Sequence, residues 1–382
     1  MSGPDDDKRS LPDTSLSERI LARCAGLGFA RAGVCRVEPS AYESELRAWL
    51  EAGKHGEMGY LADQLAQRLD PTLVLPGVRS VVMVADRYAA RGPGPKPGPK
   101  PGPEQGAGRI ARYAQGRDYH RVIKRRLHAL ADALRDELGH GHGFRSFVDS
   151  APVLEREHAA RAGLGWVGKH TLLIDPELGS YFLIGGVYTT LDLPEPAGQR
   201  VVSDHCGTCT RCIDACPTDA ITPYSVDATR CISYLTLEHR SPIDDVFYPA
   251  MGDWLAGCDI CQEVCPHNAP RARADDRPVN KAYGGGRASL PVLDVLGWDA
   301  DRRRDALTSS ALKRVRLEMF KRNAAVVAGN LLAEGRLAPG DAALLVGRLL
   351  ELATDADEPE MVRAAARWAV TRSPGSGSAA GG

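Results

Sequence analysis

The sequence predicts an α+β protein in three successive parts: an N-terminal α/β region, a cysteine-rich region and an all-helical end. Three observations predict it. Up to about residue 195, β-branched runs alternate with helix-period segments; eight of the ten cysteines fall within residues 206–265; and no strand signal remains after Arg304. A chain of 382 residues is long enough for two or three domains with a real core. Its 43% hydrophobic and 25% charged content is that of an ordinary globular protein.

Taken in order, residues 1–16 read as a disordered arm. Ser17 to Gly26 begins a helix, Phe29 to Val37 is a candidate strand, and Leu46 to Ala52 is helical. Ser80 to Ala85 is β-branched and apolar, as a buried strand would be. The Gly-Pro-Lys stretch at 92–108 cannot form helix or sheet and reads as an insertion. Tyr119 to Leu138 places Val122, Leu127, Leu130, Leu134 and Leu138 at helical spacing and ends at Gly139. Phe144 to Val148 is a strand with Asp149 at its end, and Val153 to Ala162 is a helix stopped by glycines. Leu172 to Ile174 and Tyr181 to Thr189 are strand-like, and Pro194 and Pro196 mark a boundary. The expected domains are therefore 17–195, 196–285 and 286–372, with 373–382 a flexible tail. Within the last domain, residues 355–370 resemble one unit of a HEAT-type repeat.

Bulk properties narrow the setting. No apolar stretch reaches the length of a membrane span, and the polar, acidic start has no apolar signal core or twin-arginine pair. A cytoplasmic protein is expected, and in that reducing compartment clustered cysteines are metal ligands more often than disulfides. A net charge of −1 means that any nucleic-acid contact must come from a local patch.

Cys206, Cys209, Cys212 and Cys216 form C-x2-C-x2-C-x3-C, followed by Pro217. Cys258, Cys261 and Cys265 form C-x2-C-x3-C, followed by Pro266, with Cys231 between the runs. The first run has the bacterial ferredoxin spacing, in which the fourth cysteine reaches the other cluster. By that logic Cys206, Cys209, Cys212 and Cys265 hold one [4Fe–4S] cluster, and Cys216, Cys231, Cys258 and Cys261 hold the second. A pair of zinc sites is the blander alternative; cysteine runs closed by proline do not favour it. Cys24 and Cys35 read as buried hydrophobes. Two bridged clusters make a wire, and the roughly 200 residues before them should hold what the wire feeds.

Several strings then converge: GEMGYL (56–61), ARYAQGRDYH (111–120), FVDSAPVLEREHAARAGLGWVGKHT (147–171), CISYLTLEHRSPI (231–243) and GCDICQEVCPHN (257–268). Together with the cysteine array they resemble the epoxyqueuosine reductases, over about residues 17–330. Gly59, where the family usually has an acidic residue, and the Gly-Pro-Lys insertion are departures. The resemblance implies an N-terminal cobalamin-binding domain, two [4Fe–4S] clusters and a helical C-terminal domain that helps hold tRNA carrying epoxyqueuosine. It also implies an external electron donor of flavodoxin or ferredoxin type; a monomer is expected, with no DNA or membrane partner.

The histidine-ligand motif D-x-H-x-x-G is incomplete here, because Ile123 stands at the glycine position after Asp118 and His120. His120 is thus expected to be a helix-start polar contact. From the residues alone, Asp149 is open to two roles: a strand-end acid whose pKa burial raises, or a cap for the helix near Val153. The resemblance implies the acid, which protonates the departing epoxide oxygen. By position in the resembling segments, cobalamin contacts are expected at Arg68, Tyr113, Asp149, Lys169, His170, Ser233, Glu238 and Asp259. Gly163, Gly165 and Gly168 permit close backbone approach or are simply turn residues.

Two cationic runs suit phosphate. Residues 302–322 carry eight Lys or Arg, including Arg314, Arg316, Lys321 and Arg322, which are expected to touch tRNA. Residues 109–126 carry seven and are the weaker candidate; solvated helix faces are the bland reading of both. Two rival functions stand beside this one. A reductive dehalogenase pairs cobalamin with similar clusters, and a non-enzymatic ferredoxin-type carrier needs neither Asp149 nor the N-terminal domain.

Overall fold

The computed structural model describes residues 15–92, 106–270, 277 and 279–372. The expected arm at 1–16 (but for its last two residues), most of the Gly-Pro-Lys insertion and the tail at 373–382 lie outside the described residues. The first sheet has four strands in the order Arg31–Arg36, Ser80–Arg87, Phe182–Thr189, Phe144–Phe147. All three pairings are antiparallel, so this region is not wound from parallel βαβ units.

The Ser80–Arg87 strand is buried along its whole length, and strand alternation explains how. Val82 and Val84 face the helices Leu16–Gly26 and Tyr119–Leu138, while Val81, Met83 and Ala85 face the helix Glu155–Arg161. Helices on both faces convert an apolar strand into the centre of two cores. The helix Tyr119–Leu138 begins and ends as its sequence requires. Asp118 caps it by accepting the His120 N–H, and Gly139 ends it with φ +80°.

The second sheet departs from the expected domain order. Ala107–Ile110, whose first two residues fall within the expected insertion at 92–108 and form sheet nonetheless, lies between Trp254–Ala256 and Ser289–Pro291. One strand from each expected domain meets here. The boundary placed at 285/286 also passes through a continuous core, which runs from Ile110 through Leu255 and Leu296 to Ala369. Sequential blocks were the natural reading; burial of apolar surface joins them instead.

The helix Leu317–Ala333 corrects two expected tRNA contacts. It is buried nearly all round, so Lys321 and Arg322 are interior residues. Lys321 pairs with Glu358. Arg322 is 0% exposed and donates to the carbonyls of Leu235, His239 and Ser241 at 2.7–2.8 Å. Asn323 and Asn330 of the same helix donate to carbonyls of Thr236, Leu255, Tyr248 and Gly252. These side chains fasten the helical end to the chain around the cysteines. Arg322→Met would leave three buried carbonyls without a donor, and the expected cost is about 2–5 kcal/mol. Chemical denaturation measures it. A normal midpoint with weakened tRNA binding would contradict the structural role.

Candidate active site

Short helical turns, Arg211–Asp214 and Ile260–Glu263, present the two cysteine runs. Cys265 shares its electrostatic surroundings with Cys206, Cys209 and Cys212. Cys231 adjoins Cys216, and Cys258 adjoins both of them. Cys261 adjoins Cys258 and Cys231 in turn, and reaches across to Cys212. These couplings follow the two crossed sets that the spacing predicts, although among the described residues no group of three or more His, Cys, Asp or Glu side chains is arranged to hold a metal ion. Burial pushes Cys265 up to about 11 and Cys258 and Cys261 well above the usual thiol range. Thiols buried in this way need a cationic centre beside them to ionise. The Ala220 N–H donates to the Cys216 sulfur at 3.4 Å, and Trp166 packs with Cys206 and Cys265. Cys24 and Cys35 lie in the two cores of the first sheet, where burial pushes each up to about 12.

Asp149 sits in the turn after Phe144–Phe147 with φ +55°, a left-handed conformation that aspartate tolerates better than most residues. It does not cap the following helix, which starts at Glu155 with Leu154 at the cap position. Its Oδ2 accepts from the Tyr119 hydroxyl at 2.6 Å and lies 3.2 Å from His120 Nε2. The other His120 nitrogen, Nδ1, lies 2.8 Å from Asp118, and the imidazole stacks on the Tyr119 ring. Lys313 closes the row on the far side of Asp118 at 3.1 Å.

The expected raised pKa of Asp149 is corrected by these partners. The protein crowded around it would by itself raise the pKa. The bonds from His120 and Tyr119, with the charges of His120 and Arg314, outweigh that and hold it at about 2. Desolvation opposes the charge on His120, but its two carboxylate partners prevail and raise its pKa above the ordinary 6.5. Glu155, whose carboxyl accepts the Asp149 N–H at 2.5 Å, is pushed well up by burial and by the Asp149 charge.

Other expected residues converge on this point. Arg314 pairs with Glu238 and bonds Tyr113, and both Arg314 and Tyr113 feel the Asp149 charge. Arg68 lies near Tyr60, Glu155 and Asp149. Asp259, fully buried between Cys258 and Cys261, accepts the Arg112 N–H at 2.8 Å and is electrostatically coupled to Tyr113. Burial pushes Asp259 up to about 6. Arg314, with its side chain 44% exposed, thus stands beside Asp149. Arg316 is 55% exposed and faces Glu318 at 3.8 Å.

Lys169 and His170 are placed apart from this group. Lys169 donates to the carbonyls of Gly207 and Cys209, beside the first quartet. His170 is 3% exposed, and burial lowers it to about 4. Ser233 follows Cys231 on the short helix Ile232–Leu237. Two glycines of the stretch are required by the backbone: at Gly165, with φ +148°, a side chain would strike the Ile174 backbone, and at Gly163, with φ +76°, the Arg200 carbonyl. Sequence reasoning missed Tyr60, Tyr119, Glu155 and Arg156 altogether. Tyr60, 44% exposed, stands among Glu238, Asp149, Arg314 and Arg68. Its place in GEMGYL, a string already singled out, was the available signal.

Paired cysteine quartets joined to a pocket of titratable groups define an iron–sulfur oxidoreductase. Comparison with known proteins makes the assignment particular. The family model described as "Epoxyqueuosine reductase QueG, DUF1730" matches residues 68–150, and that of a "4Fe-4S double cluster binding domain" matches residues 205–268. An epoxyqueuosine reductase of Burkholderia pseudomallei is 39% identical over 398 residues, covering 96% of each chain. One from Pseudomonas aeruginosa is 39% identical, covering 85% of this chain and 88% of its own. Among solved structures, an epoxyqueuosine reductase with a tRNA-Tyr epoxyqueuosine-modified stem loop superposes with a TM-score of 0.79 at 26% identity, covering 94% of this chain and 90% of that one. The Bacillus subtilis enzyme, solved with its catalytic aspartate loop swung out of the active site, gives 0.77 at 25%, with the same coverage. The chain belongs to the epoxyqueuosine reductase family.

Among the described residues, no helix is long and apolar enough to cross a membrane.

Proposed function

We propose that this protein reduces the epoxide of epoxyqueuosine in tRNA to the alkene of queuosine, with cobalamin bound between the second cysteine quartet and Asp149. The observation that carries this reading is Tyr113. Its neighbour Arg112 donates its N–H to Asp259, which lies between two cysteines, and the Tyr113 ring packs edge-on at 6.1 Å against Tyr119, whose hydroxyl bonds Asp149. The wire therefore points at the acid.

Buried polar atoms without partners support a large amide-edged ligand such as a corrin. Among the described residues they include Nε of Arg68, Oε1 of Gln67 and Oδ1 of Asp259. Such atoms are costly unless something meets them. Arg68, Gln67, Tyr113 and Asp259 would hold the cofactor. When bound, the clusters and cobalamin supply the two electrons that the epoxide-to-alkene conversion consumes. The oxygen leaves as water, so two protons must arrive as well.

The residues of this chain handle the protons. With Asp149 ionised, the proton waits on His120, which Asp118 and Lys313 hold in place. Asp149 passes it to the departing oxygen and recovers it from His120. The φ of Asp149 places it on a sharp turn, and the aspartate loop of the Bacillus subtilis relative can leave its site; both suit a residue that meets substrate on arrival. Arg314 and Glu238 frame the pocket with one charge of each sign.

The sign of the pH dependence follows. A raised His120 pKa keeps the proton to higher pH, so turnover falls as pH rises through that value, above 6.5. Profiles of kcat/KM against pH for the native protein and His120→Asn test this. Loss of the alkaline limb in the variant is expected; the same limb in both would contradict the relay. The reading as a whole is tested by incubating anaerobically purified, cobalamin-loaded protein with epoxyqueuosine-containing tRNA and a reductant. Queuosine should form. Full cluster and cobalamin content without turnover would overturn it.

A further inference from the structure

The two cationic runs differ in what the fold leaves free. Every one of the eight cations in residues 302–322 faces a carboxylate or carbonyl of this chain. In the other run, Arg109, Arg112 and Arg126 are likewise engaged, the first two with Glu263 and the third with Asp86. Arg117, Arg121, Lys124 and Arg125 are exposed and face no carboxylate among the described residues.

Three of these lie on the helix Tyr119–Leu138 in a pattern. Arg121, Lys124, Arg125 and His128 follow i, i+3, i+4, i+7, which places them on one stripe of an α-helix. The opposite face, with Ile123, Leu127, Leu130 and Leu134, is buried on the first sheet. The stripe starts one residue after His120 and so begins at the Asp149 site. Beyond Lys124 and His128 it opens into a cleft of about 480 Å³. Arg145 adds a further cation to that cleft, and its wall includes Ser150, Ala151 and Pro152, the turn that carries Asp149.

We propose that this stripe and cleft grip the phosphate backbone of the tRNA beside the modified nucleoside, in place of the C-terminal run. The inference rests on the reading of tRNA as substrate. Arg121, Lys124 and Arg125, with Arg145 at the cleft, face no carboxylate among the described residues and are complementary to a polyanion. From Arg121 to His128 the helix rises roughly 10 Å, which spans two or three phosphates of one strand. Contact of that kind holds any sequence and leaves recognition of the base to the pocket.

The triple substitution R121A/K124A/R125A tests the proposal. All three side chains are exposed and alanine favours helix, so the fold should persist. Affinity for an epoxyqueuosine-modified stem loop is measured across salt concentrations, together with KM and kcat. KM is expected to rise about 10–100-fold, kcat at saturation to change less than about twofold, and the log–log salt slope to shrink by about two. An unchanged slope and KM would overturn the proposal while leaving the proposed reaction standing. A native protein that binds the stem loop through this stripe but never reduces it would leave the stripe and overturn the reaction. Arg316→Ala is the comparison; a larger loss of slope there than in the triple variant also counts against the stripe.

Discussion

Asp149→Asn lowers turnover by about 10²–10⁴-fold, the usual worth of a positioned acid, while iron and cobalamin content stay normal. Asparagine is the informative replacement for two reasons. It tolerates the left-handed backbone at this position, where φ is +55°, so the turn keeps its shape. It can also still accept from Tyr119 and His120, whose bonds to Oδ2 are 2.6 and 3.2 Å. What it cannot do is carry a proton between His120 and the departing oxygen. Near-normal rates in this variant would place the acid elsewhere, and Glu155, whose pKa its surroundings and the Asp149 charge push up, would be the next residue to test. Asp149→Ala would be harder to read, because backbone strain and lost bonds would mix with lost chemistry.

Substituting one cysteine should remove one cluster, and the crossing makes the choice of cysteine decisive. Cys265 belongs by sequence to the second run, but its neighbours in the fold are Cys206, Cys209 and Cys212. Cys265→Ala is therefore expected to lose about half of roughly eight irons, and Cys258→Ala the other half; the double variant should lose nearly all. Cys24→Ala should lose none, since Cys24 is sealed in the core of the first sheet. Iron analysis and electron paramagnetic resonance of oxygen-free protein read the result. Zinc in place of iron, or a Cys265→Ala protein with full iron, would contradict the two quartets.

Much of this was legible in the chain, for identifiable reasons. The helix Tyr119–Leu138 was placed to the residue because its apolar period and terminal glycine are both strong local signals. The two cysteine runs were legible because their spacing is short-range, and the model of a 4Fe-4S double cluster binding domain matches residues 205–268. The fate of the strand Ala107–Ile110 was not, since its partners, Trp254–Ala256 and Ser289–Pro291, lie about 150–180 residues downstream. Arg322 misled for a related reason. A charge within a cationic run reads as solvated, and only the fold shows that three main-chain carbonyls replace the water. Asp149 was legible as a site residue, but the direction of its pKa shift was not. Its environment is set by Tyr119 and His120, about thirty residues earlier in the chain, and their bonds reverse the effect of burial.

The most direct measurement is a single-turnover reaction. Fully reduced, cobalamin-loaded protein is mixed with an epoxyqueuosine-modified stem loop, and cluster oxidation and alkene formation are followed together. One alkene should form per two electrons withdrawn, on the same time course, and Asp149→Asn should stop both. Alkene formation with the clusters still reduced, or cluster oxidation that leaves the epoxide intact, would contradict the account.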